Sequence, residues 1–292
     1  MKKLNYNRQK ALLAMIEVFG KRLGKIELQK YMFLYVQEYS DKKHYAFVPY
    51  RYGSFSYEMY KDLHTLERKG FLQIGRKEIK LKCEGFFDNI DEKEKNQLLL
   101  FKKRYANITG SHLIEMLYQK YTYYAINSEI KDRFLTKEQI ERAKPINDFE
   151  GLYTIGYESK KFEEYLNELI KKNISVLVDV RKNAHSMKYG FSKNTLKRAV
   201  ENLGMDYVHI PELGIESENR KELHSKADYD ALFAQYAKTL VDKKEPLKQL
   251  YTIIKTAKRV AITCFEKDVS YCHRGVIAKK IHNDYDVEIH HL

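Results

Sequence analysis

The sequence predicts an α/β protein, with a mostly parallel five-stranded sheet and flanking helices in its second half and a mainly helical, winged-helix-like first half. Two observations predict the sheet. From residue 151 onward, short β-branched runs alternate with amphipathic segments, and "ISVLVDVR" is almost continuously apolar, as in a strand buried on both faces. Alternation of strand and helix indicates parallel strands joined by right-handed crossovers.

The elements of the first half follow from apolar spacing and from glycine and proline stops. Helices are predicted in "RQKALLAMIEVFG", "KIELQKYMFLYVQEYS" and "YEMYKDLHTLERKG", the first and third ending at Gly20 and Gly70. "HYAFVPYRYGSFS" is typical of an extended segment with a turn, and "FLQIG" and "EIKLKC" predict a short hairpin. Residues 91–144 are predicted to add further helices, one of them starting at a capping box from Thr136 to Gln139.

The second half is predicted to alternate in the following order: strand "GLYTIGY", helix "KFEEYLNELIKK", strand "ISVLVDVR", helix "KNTLKRAVENLG", strand "DYVHI", helices "YDALFAQYAKTLV" and "PLKQLYTIIKTA", strand "RVAITCF", helix "GVIAKKIHNDY" and strand "VEIHHL". The polar segment "KPINDFEG" contains Pro145 and Gly151 and separates this pattern from the helical half. We therefore predict two domains, residues 1–148 and residues 149–292.

Charge is distributed unevenly along the chain. Of a net charge of +13, residues 1–150 carry 29 Lys and Arg against 20 Asp and Glu. A basic domain with helices followed by a hairpin is typical of a winged helix, in which the last helix before the wing commonly enters the major groove of DNA. The candidate nucleic-acid-binding residues are Lys61, His64, Arg68 and Lys69 on that helix and Arg76 and Lys77 in the wing. A charged, solvated helix face is the alternative interpretation.

Several classes of protein are excluded by composition. No run approaches the roughly 18 apolar residues of a membrane helix, and the N-terminus has neither a long apolar core nor a small-residue cleavage site. Three cysteines in a chain of 292 residues do not form a disulfide framework. We therefore expect a cytoplasmic protein with no membrane association and no cofactor, and a homodimer is one oligomeric state open to it.

Polar residues follow four of the predicted strands. Ligands of open α/β sheets bind beyond the carboxyl ends of the strands. The residues found there are Tyr157 and Glu158, Asp179 and Arg181, His209, and Cys264 to Glu266 followed by Cys272 to Arg274. Asp179 and Glu266 are candidate acid-base groups, while Arg181 and Arg274 could hold phosphate or carboxylate. A structural ion pair of Asp179 with either arginine is the alternative.

The two cysteines near residue 270 allow three interpretations. A zinc site is disfavoured because Cys264 and Cys272 are eight residues apart, no second pair exists, and His273 on a regular helix would point away from Cys272. Cys272 at a helix start could be a thiol with a lowered pKa at an anion pocket, and it is a third catalytic candidate. Cys264, within "AITCF", is expected to be a core residue. No metal is expected.

The second half resembles a known family. "YTIGY", "LVDVRKNAHSMKYGFSK", "YVHIPELG", "CFEKDVSYCHR" and the final "HHL" resemble, in order and spacing, the family called domain of unknown function 488, over about residues 151–292. The resemblance implies an α/β domain and adds Ser186, Phe191 and His273 to the site residues. The chain departs from the family pattern at Ala184-His185, where a proline usually precedes the serine, and at Ile215, which replaces a second glycine. Both departures predict a different ligand.

The first half is similar to Panacea-type antitoxins and related helical modules. The similarity lies in "ELQKYMFLYVQEY" and "FVPYRYGSFSYEMYKDLHTLERKGFL", over about residues 10–75. It implies regulation, conflict systems or contact with DNA, and it names no catalytic residue.

Three functions are compatible with these features. The first is a hydrolase acting on DNA or nucleotides, with a glycosylase-like activity in defence against foreign DNA as one form; it would bind DNA rather than RNA. The second is a non-catalytic DNA-binding regulator or antitoxin that senses a small anion. The third is a rhodanese-like sulfurtransferase, because "VLVDVR" resembles the opening of that fold, although "CHRGV" lacks the expected loop of backbone donors.

Overall fold

A computed structural model describes residues 4, 6–216 and 223–292. The chain divides into two compact units, Met1–Lys144 and Pro145–Leu292. Part of the loop after "PELG", one of the two loops at which the sequence predicts a different ligand, lies outside the described residues.

The N-terminal unit is mainly helical, as the sequence predicts. Its elements are α1 (Asn7–Val18), β1 (Arg22–Gly24), α2 (Lys25–Glu38), β2 (Val48–Tyr50), β3 (Gly53–Phe55), α3 (Tyr57–Arg68), β4 (Leu72–Ile74), β5 (Glu78–Leu81), α4 (Glu92–Tyr105), α5 (Gly110–Lys120) and α6 (Lys137–Ala143). Strands β1, β5 and β4 form an antiparallel sheet in that order, and β2 pairs with β3 in a separate hairpin. Helix α2 is buried from Leu28 to Tyr35, so it forms the centre of this core.

Helix α3 is fixed by one buried carboxylate. Asp62 accepts hydrogen bonds from Gln9 Nε2 at 2.7 Å, Arg8 Nε at 2.7 Å and Tyr45 Oη at 3.1 Å. Burial of a carboxylate is tolerable only when it is satisfied in this way. Because Asp62 and its apolar neighbours Leu63 and Leu66 face the core, the opposite face of α3 is left to solvent.

The C-terminal unit is built on a five-stranded parallel sheet. Its elements are β6 (Gly151–Gly156), α7 (Phe162–Lys171), β7 (Val176–Asp179), α8 (Lys193–Glu201), β8 (Asp206–His209), α9 (Lys226–Thr239), α10 (Lys244–Ala257), β9 (Arg259–Cys264), α11 (His273–Tyr285) and β10 (Ile289–His291). The strand order is β10-β6-β9-β7-β8, and every neighbouring pair is parallel. The predicted parallel α/β fold is confirmed.

The register brings the ends of the central strands together. Gly156 pairs with Cys264, and Asp179 pairs with Thr263 on one side and His209 on the other. Gly156 is required at the end of β6, because a Cβ there would lie 1.9 Å from the carbonyl oxygen of Glu266. The loop after β9 therefore crosses directly over the end of β6.

The helices are short throughout the described part of the chain. The longest, α2, α4, α9 and α10, have 14 residues each. None of the described helices combines the length and the apolar character that crossing a bilayer demands.

Candidate functional site

A buried ion pair lies at the end of β7. Asp179 Oδ1 accepts hydrogen bonds from the backbone N–H and Nε of Arg181, at 3.1 and 2.8 Å, and its Oδ2 accepts from Arg181 Nη2 at 2.5 Å and from Tyr207 Oη at 2.6 Å. Asp179 is fully buried and Arg181 is 5% exposed. Four donors occupy this carboxylate. The observed geometry is therefore that of a structural ion pair, the alternative to an acid-base role for Asp179.

The rest of the Arg181 guanidinium is also bound within the protein. Its Nη1 donates to Tyr157 Oη and to the carbonyl oxygen of Phe191, both at 2.8 Å. Burial opposes the charged form, but the hydrogen bonds and charge of Asp179 outweigh it and raise the pKa of Arg181. Burial, followed by the charge of Asp179, also raises the pKa of Tyr207. The pair connects three segments of the site and fixes their positions.

Aromatic rings extend this support. The rings of Tyr157 and Phe191 stack with centroids 4.2 Å apart and planes at 8°, and Phe265 meets Tyr157 edge-on at 5.4 Å. Phe191 is fully buried, whereas Phe265 is 41% exposed. Phe191 therefore supports the wall of the site, and Phe265 is the ring available to a ligand.

A cavity of about 300 Å³ opens at the carboxyl ends of β6, β7 and β9. It is lined by Tyr157, Arg181, Lys182, Asn183, His185, Ser186, Met187, Ile215, Cys264 and Phe265. Met187 is 95% exposed at its rim. Residues from several strand ends share this lining, as the sequence predicts, and the loop after β7 supplies six of the ten residues.

Two further site candidates have partners beside this cavity. His209 Nε2 donates to the carbonyl oxygen of Arg181 at 2.9 Å, and its Nδ1 accepts from Lys193 Nζ at 2.9 Å. The Oγ of Ser186 accepts from the backbone N–H of Lys188 at 3.2 Å. Ser186 lines the cavity, whereas His209 holds the backbone behind Arg181.

The two cysteines and the histidine of the last loop converge. Sγ of Cys264, Sγ of Cys272 and a ring nitrogen of His273 all lie within 4.8 Å of one another, and all three residues are buried. Cys264 Sγ lies 3.6 Å from His273 Nδ1 and 3.3 Å from Glu266 Oε2. His273 Nε2 donates to the carbonyl oxygen of Val180 at 3.1 Å, which leaves Nδ1 as an acceptor facing the sulfurs.

This geometry corrects two expectations about the cysteines. His273 does not point away from Cys272, because Cys272 is the extended N-cap of α11, with φ −136° and ψ 135°, and is not part of the regular helix. Burial, followed by the neighbouring Cys264, raises the pKa of the Cys272 thiol well above its ordinary value, the opposite of the lowering expected at a helix start. Cys264 is buried, as expected of a core residue, but its thiol faces the cluster.

Arg274 is placed differently from the sequence expectation. It is 1% exposed, and its Nη1 and Nη2 donate to the carbonyl oxygens of Glu266 and Lys267, the latter at 2.8 Å. The described residues that line the cavity do not include Arg274. Its guanidinium therefore holds the loop that carries Glu266 and presents no open fork to a phosphate.

Two contributors were missed by sequence reasoning, Tyr207 as a donor to Asp179 and Cys264 as a member of the thiol cluster. Tyr207 could have been found, because it is two residues from His209 on β8 and therefore lies on the same face of the sheet. No comparable sequence pattern indicates the role of Cys264, because it ends an apolar strand and is typical of a core residue there.

The candidates in the N-terminal unit lie at its surface. Lys61, His64 and Arg68 are exposed on α3 at spacings of three and four residues, and Lys69 is half-buried. Arg76 and Lys77 are exposed in the turn between β4 and β5. The described residues that line the cavity of the C-terminal unit or form its thiol cluster include none of these six.

The C-terminal unit is thus an α/β domain whose cavity lies at the carboxyl edge of a parallel sheet, above a buried Asp-Arg pair. Residues 161–281 match the family model described as Domain of unknown function DUF488. The match lies within the C-terminal unit, where the sequence resemblance predicts it. No curated protein and no solved structure matches the chain.

Proposed function

We propose that the C-terminal unit is a hydrolase acting on a nucleotide or on nucleic acid, and that the N-terminal unit binds DNA. The observation that carries the proposal is the cavity of about 300 Å³ at the carboxyl edge of the sheet, next to which Glu266 lies. A cavity of this size suits a nucleobase or a sugar phosphate. Lys182 and His185 would face an anionic group, and the exposed ring of Phe265 could stack on a base.

Glu266 is the residue proposed for acid-base chemistry. Asp179 is occupied by four donors, so it serves as a positioning residue for Arg181 and Tyr157. Glu266 is half-buried and its backbone is held by Arg274. Its Oε2 accepts from Cys264 Sγ at 3.3 Å, which places the carboxylate near the cavity wall formed by Cys264. A carboxylate placed in this way can protonate a leaving group or activate water during hydrolysis of a glycosidic or phosphate bond.

The identity of the ligand is proposed to differ from that of other family members. His185 and Ile215, at the two positions where the chain departs from the family pattern, both line the cavity. Replacing a proline-containing turn and a glycine by larger side chains changes the shape of the walls. Variation of loops on a constant scaffold is the usual route to a different substrate.

The first prediction concerns Glu266. Purified full-length protein is incubated with modified and unmodified DNA and with free nucleotides, and released bases, nicks or phosphate are measured. We expect Glu266→Gln to lower the rate of product formation by about 10²–10⁴-fold, because the amide cannot exchange a proton. Glu201→Gln, on the exposed end of α8, is the matched control and should retain activity. Full activity in Glu266→Gln would rule out this assignment.

The second prediction concerns DNA binding by α3. Lys61 and Arg68 are exposed on one helix face, so the double variant Lys61→Glu/Arg68→Glu should weaken DNA binding. The slope of the logarithm of the binding constant against the logarithm of salt concentration should become shallower by about one for each phosphate contact that is lost. Lys137→Glu/Arg142→Glu makes the same charge change on α6, where both residues are also exposed. If both double variants weaken binding equally, net charge and not α3 governs the affinity.

A non-catalytic regulator is the second candidate, and one observation favours it. The guanidinium groups of Arg181 and Arg274 are engaged by protein acceptors, as expected of a scaffold around a sensed ligand. Such a protein would bind a nucleotide in the cavity without forming product. The sulfurtransferase alternative gains no such support, because Cys272 is 1% exposed and its thiol pKa is raised.

A further inference from the structure

We propose that Cys264, Cys272 and His273 form a binding site for a divalent cation of the zinc type, which adjoins the cavity through Cys264. Their ligand atoms lie within 4.8 Å of one another, and in the described part of the chain they are the one group of three His, Cys, Asp or Glu residues so arranged. Two sulfurs and one imidazole nitrogen are a donor set that selects zinc over magnesium or calcium.

The distance between one pair of ligand atoms matches tetrahedral coordination. Zinc lies about 2.3 Å from sulfur and about 2.0–2.1 Å from nitrogen, so sulfur and nitrogen ligands of one tetrahedron are about 3.6 Å apart. Cys264 Sγ and His273 Nδ1 are separated by 3.6 Å. This pair of ligand atoms is therefore already spaced to bind an ion, with Cys272 Sγ within 4.8 Å of both.

The orientation of His273 is fixed from behind. Its Nε2 donates to the carbonyl oxygen of Val180 at 3.1 Å, and the edge of its ring packs against Tyr236, with centroids 5.7 Å apart. A hydrogen bond from the second ring nitrogen to a carbonyl is the arrangement that orients metal-binding histidines and leaves the first nitrogen for the ion. His273 is thus held as a neutral acceptor directed at the sulfurs.

The surroundings can balance the charge of two thiolates. Arg274 follows His273 and is 1% exposed, and its Nε has no hydrogen-bond acceptor among the described residues. A buried cation with an unused N–H next to the cluster is the kind of donor that thiolate sulfur accepts from. The divalent ion would neutralise the two thiolates, and the guanidinium would further stabilise the sulfur that accepts its N–H.

Three protein ligands leave a fourth position open. Closed structural zinc sites use four protein ligands, whereas catalytic sites use three and keep one position for water or substrate. Cys264 lines the cavity, and Glu266 Oε2 is 3.3 Å from its sulfur but is not one of the converging ligand atoms. If the proposed hydrolase function holds, the ion would supply an activated water beside Glu266.

The test measures metal binding directly and does not depend on activity. Full-length protein is stripped with chelator, reduced, loaded with Zn²⁺ or Co²⁺ and passed through a desalting column, and metal per chain is measured by mass spectrometry. We expect one ion per chain and, with Co²⁺, the thiolate charge-transfer and intense d–d bands of tetrahedral coordination. Zn²⁺ should also raise the unfolding temperature, because it binds the folded state.

The variants separate binding from folding. Cys264→Ser and Cys272→Ser should weaken Co²⁺ binding by more than about 100-fold. His273→Gln should do the same while keeping an amide donor for Val180. Cys83→Ser, which removes the third cysteine in the N-terminal unit, is the matched control and should bind normally. Glu266→Gln should retain the ion even where it abolishes hydrolysis, so failure of the metal site and failure of the hydrolase proposal give different results.

Three outcomes of the metal-binding measurements would overturn the site. The first is the absence of tetrahedral Co²⁺ bands in the reduced wild-type protein. The second is a loss of metal binding in Cys83→Ser as large as the loss in Cys264→Ser or Cys272→Ser. The third is unchanged metal binding in both Cys264→Ser and Cys272→Ser. A disulfide between Cys264 and Cys272 that re-forms in the presence of reductant, detected by peptide mass spectrometry, would also contradict it, because an oxidised pair cannot bind the ion.

Discussion

Arg181→Met should lower the free energy of unfolding of the C-terminal unit by about 3–5 kcal/mol, since removal of one partner leaves a buried charge without compensation. Asp179 is fully buried, and Arg181 supplies three of its four hydrogen bonds. The backbone donor survives the substitution, but the two guanidinium donors and the positive charge are lost. Urea-dependent proteolysis, with cleavage assigned to each unit by peptide mass, would measure the change.

The matched control is Arg198→Met on the exposed face of α8, which should change stability by no more than about 0.5 kcal/mol. The double variant Asp179→Asn/Arg181→Met should recover part of the loss, because it removes the unpaired charge. Equal effects of Arg181→Met and Arg198→Met would mean that the pair contributes little to the stability of the unit. Loss of the Arg181 side chain should also loosen the cavity wall, because Arg181 Nη1 bridges Tyr157 and Phe191.

The fold and the edge of the sheet that bears the site were predictable because both depend on local patterns. An apolar β-branched run such as residues 174–180 excludes a surface position, and alternation with amphipathic helices indicates parallel pairing. Parallel pairing in turn places Tyr157, Asp179 and Cys264 at one edge, whatever the order of the strands.

The partners of the buried polar groups were not predictable from spacing. Asp179 is satisfied by Arg181 on its own strand end and by Tyr207 on β8, and the competing partner considered from sequence, Arg274, binds backbone carbonyls. Which donor reaches a carboxylate depends on the order of the strands and the path of the loops. The type of a single residue determines neither of them. The thiol cluster was hidden for a similar reason, since helical periodicity does not reveal the extended backbone of Cys272.

A lysine in the N-terminal core should make the stability of that unit depend on pH. Lys30 on α2 is 2% exposed, lies against an apolar cavity of about 150 Å³, and donates to the carbonyl oxygen of Ser54 at 3.1 Å. Burial lowers the pKa of Lys30 to about 7. The unfolded chain keeps its proton up to about pH 10.4, so between these values the folded unit binds fewer protons than the unfolded chain.

The sign of the effect follows from this difference. Below pH 7 both states are protonated, and burial of the charge destabilises the folded unit fully; as pH rises toward 10 the penalty is relieved and the free energy of unfolding increases. Lys30→Met removes the charge while keeping the volume of the side chain. It should therefore stabilise the unit by about 4–5 kcal/mol near pH 6, at about 1.4 kcal/mol for each pH unit of pKa shift, and by progressively less toward pH 10.

Urea-dependent proteolysis across pH 6 to 10, with peptides from α2 as the reporter, would measure this trend. Lys80→Met on the exposed face of β5 is the matched control, and its effect should remain within about 0.5 kcal/mol at every pH. A stabilisation by Lys30→Met that is the same at both ends of the range would show that Lys30 keeps its proton in the folded unit. The substitution lies in the N-terminal unit and far in sequence from Glu266, so it changes stability without altering any group proposed for hydrolysis or metal binding.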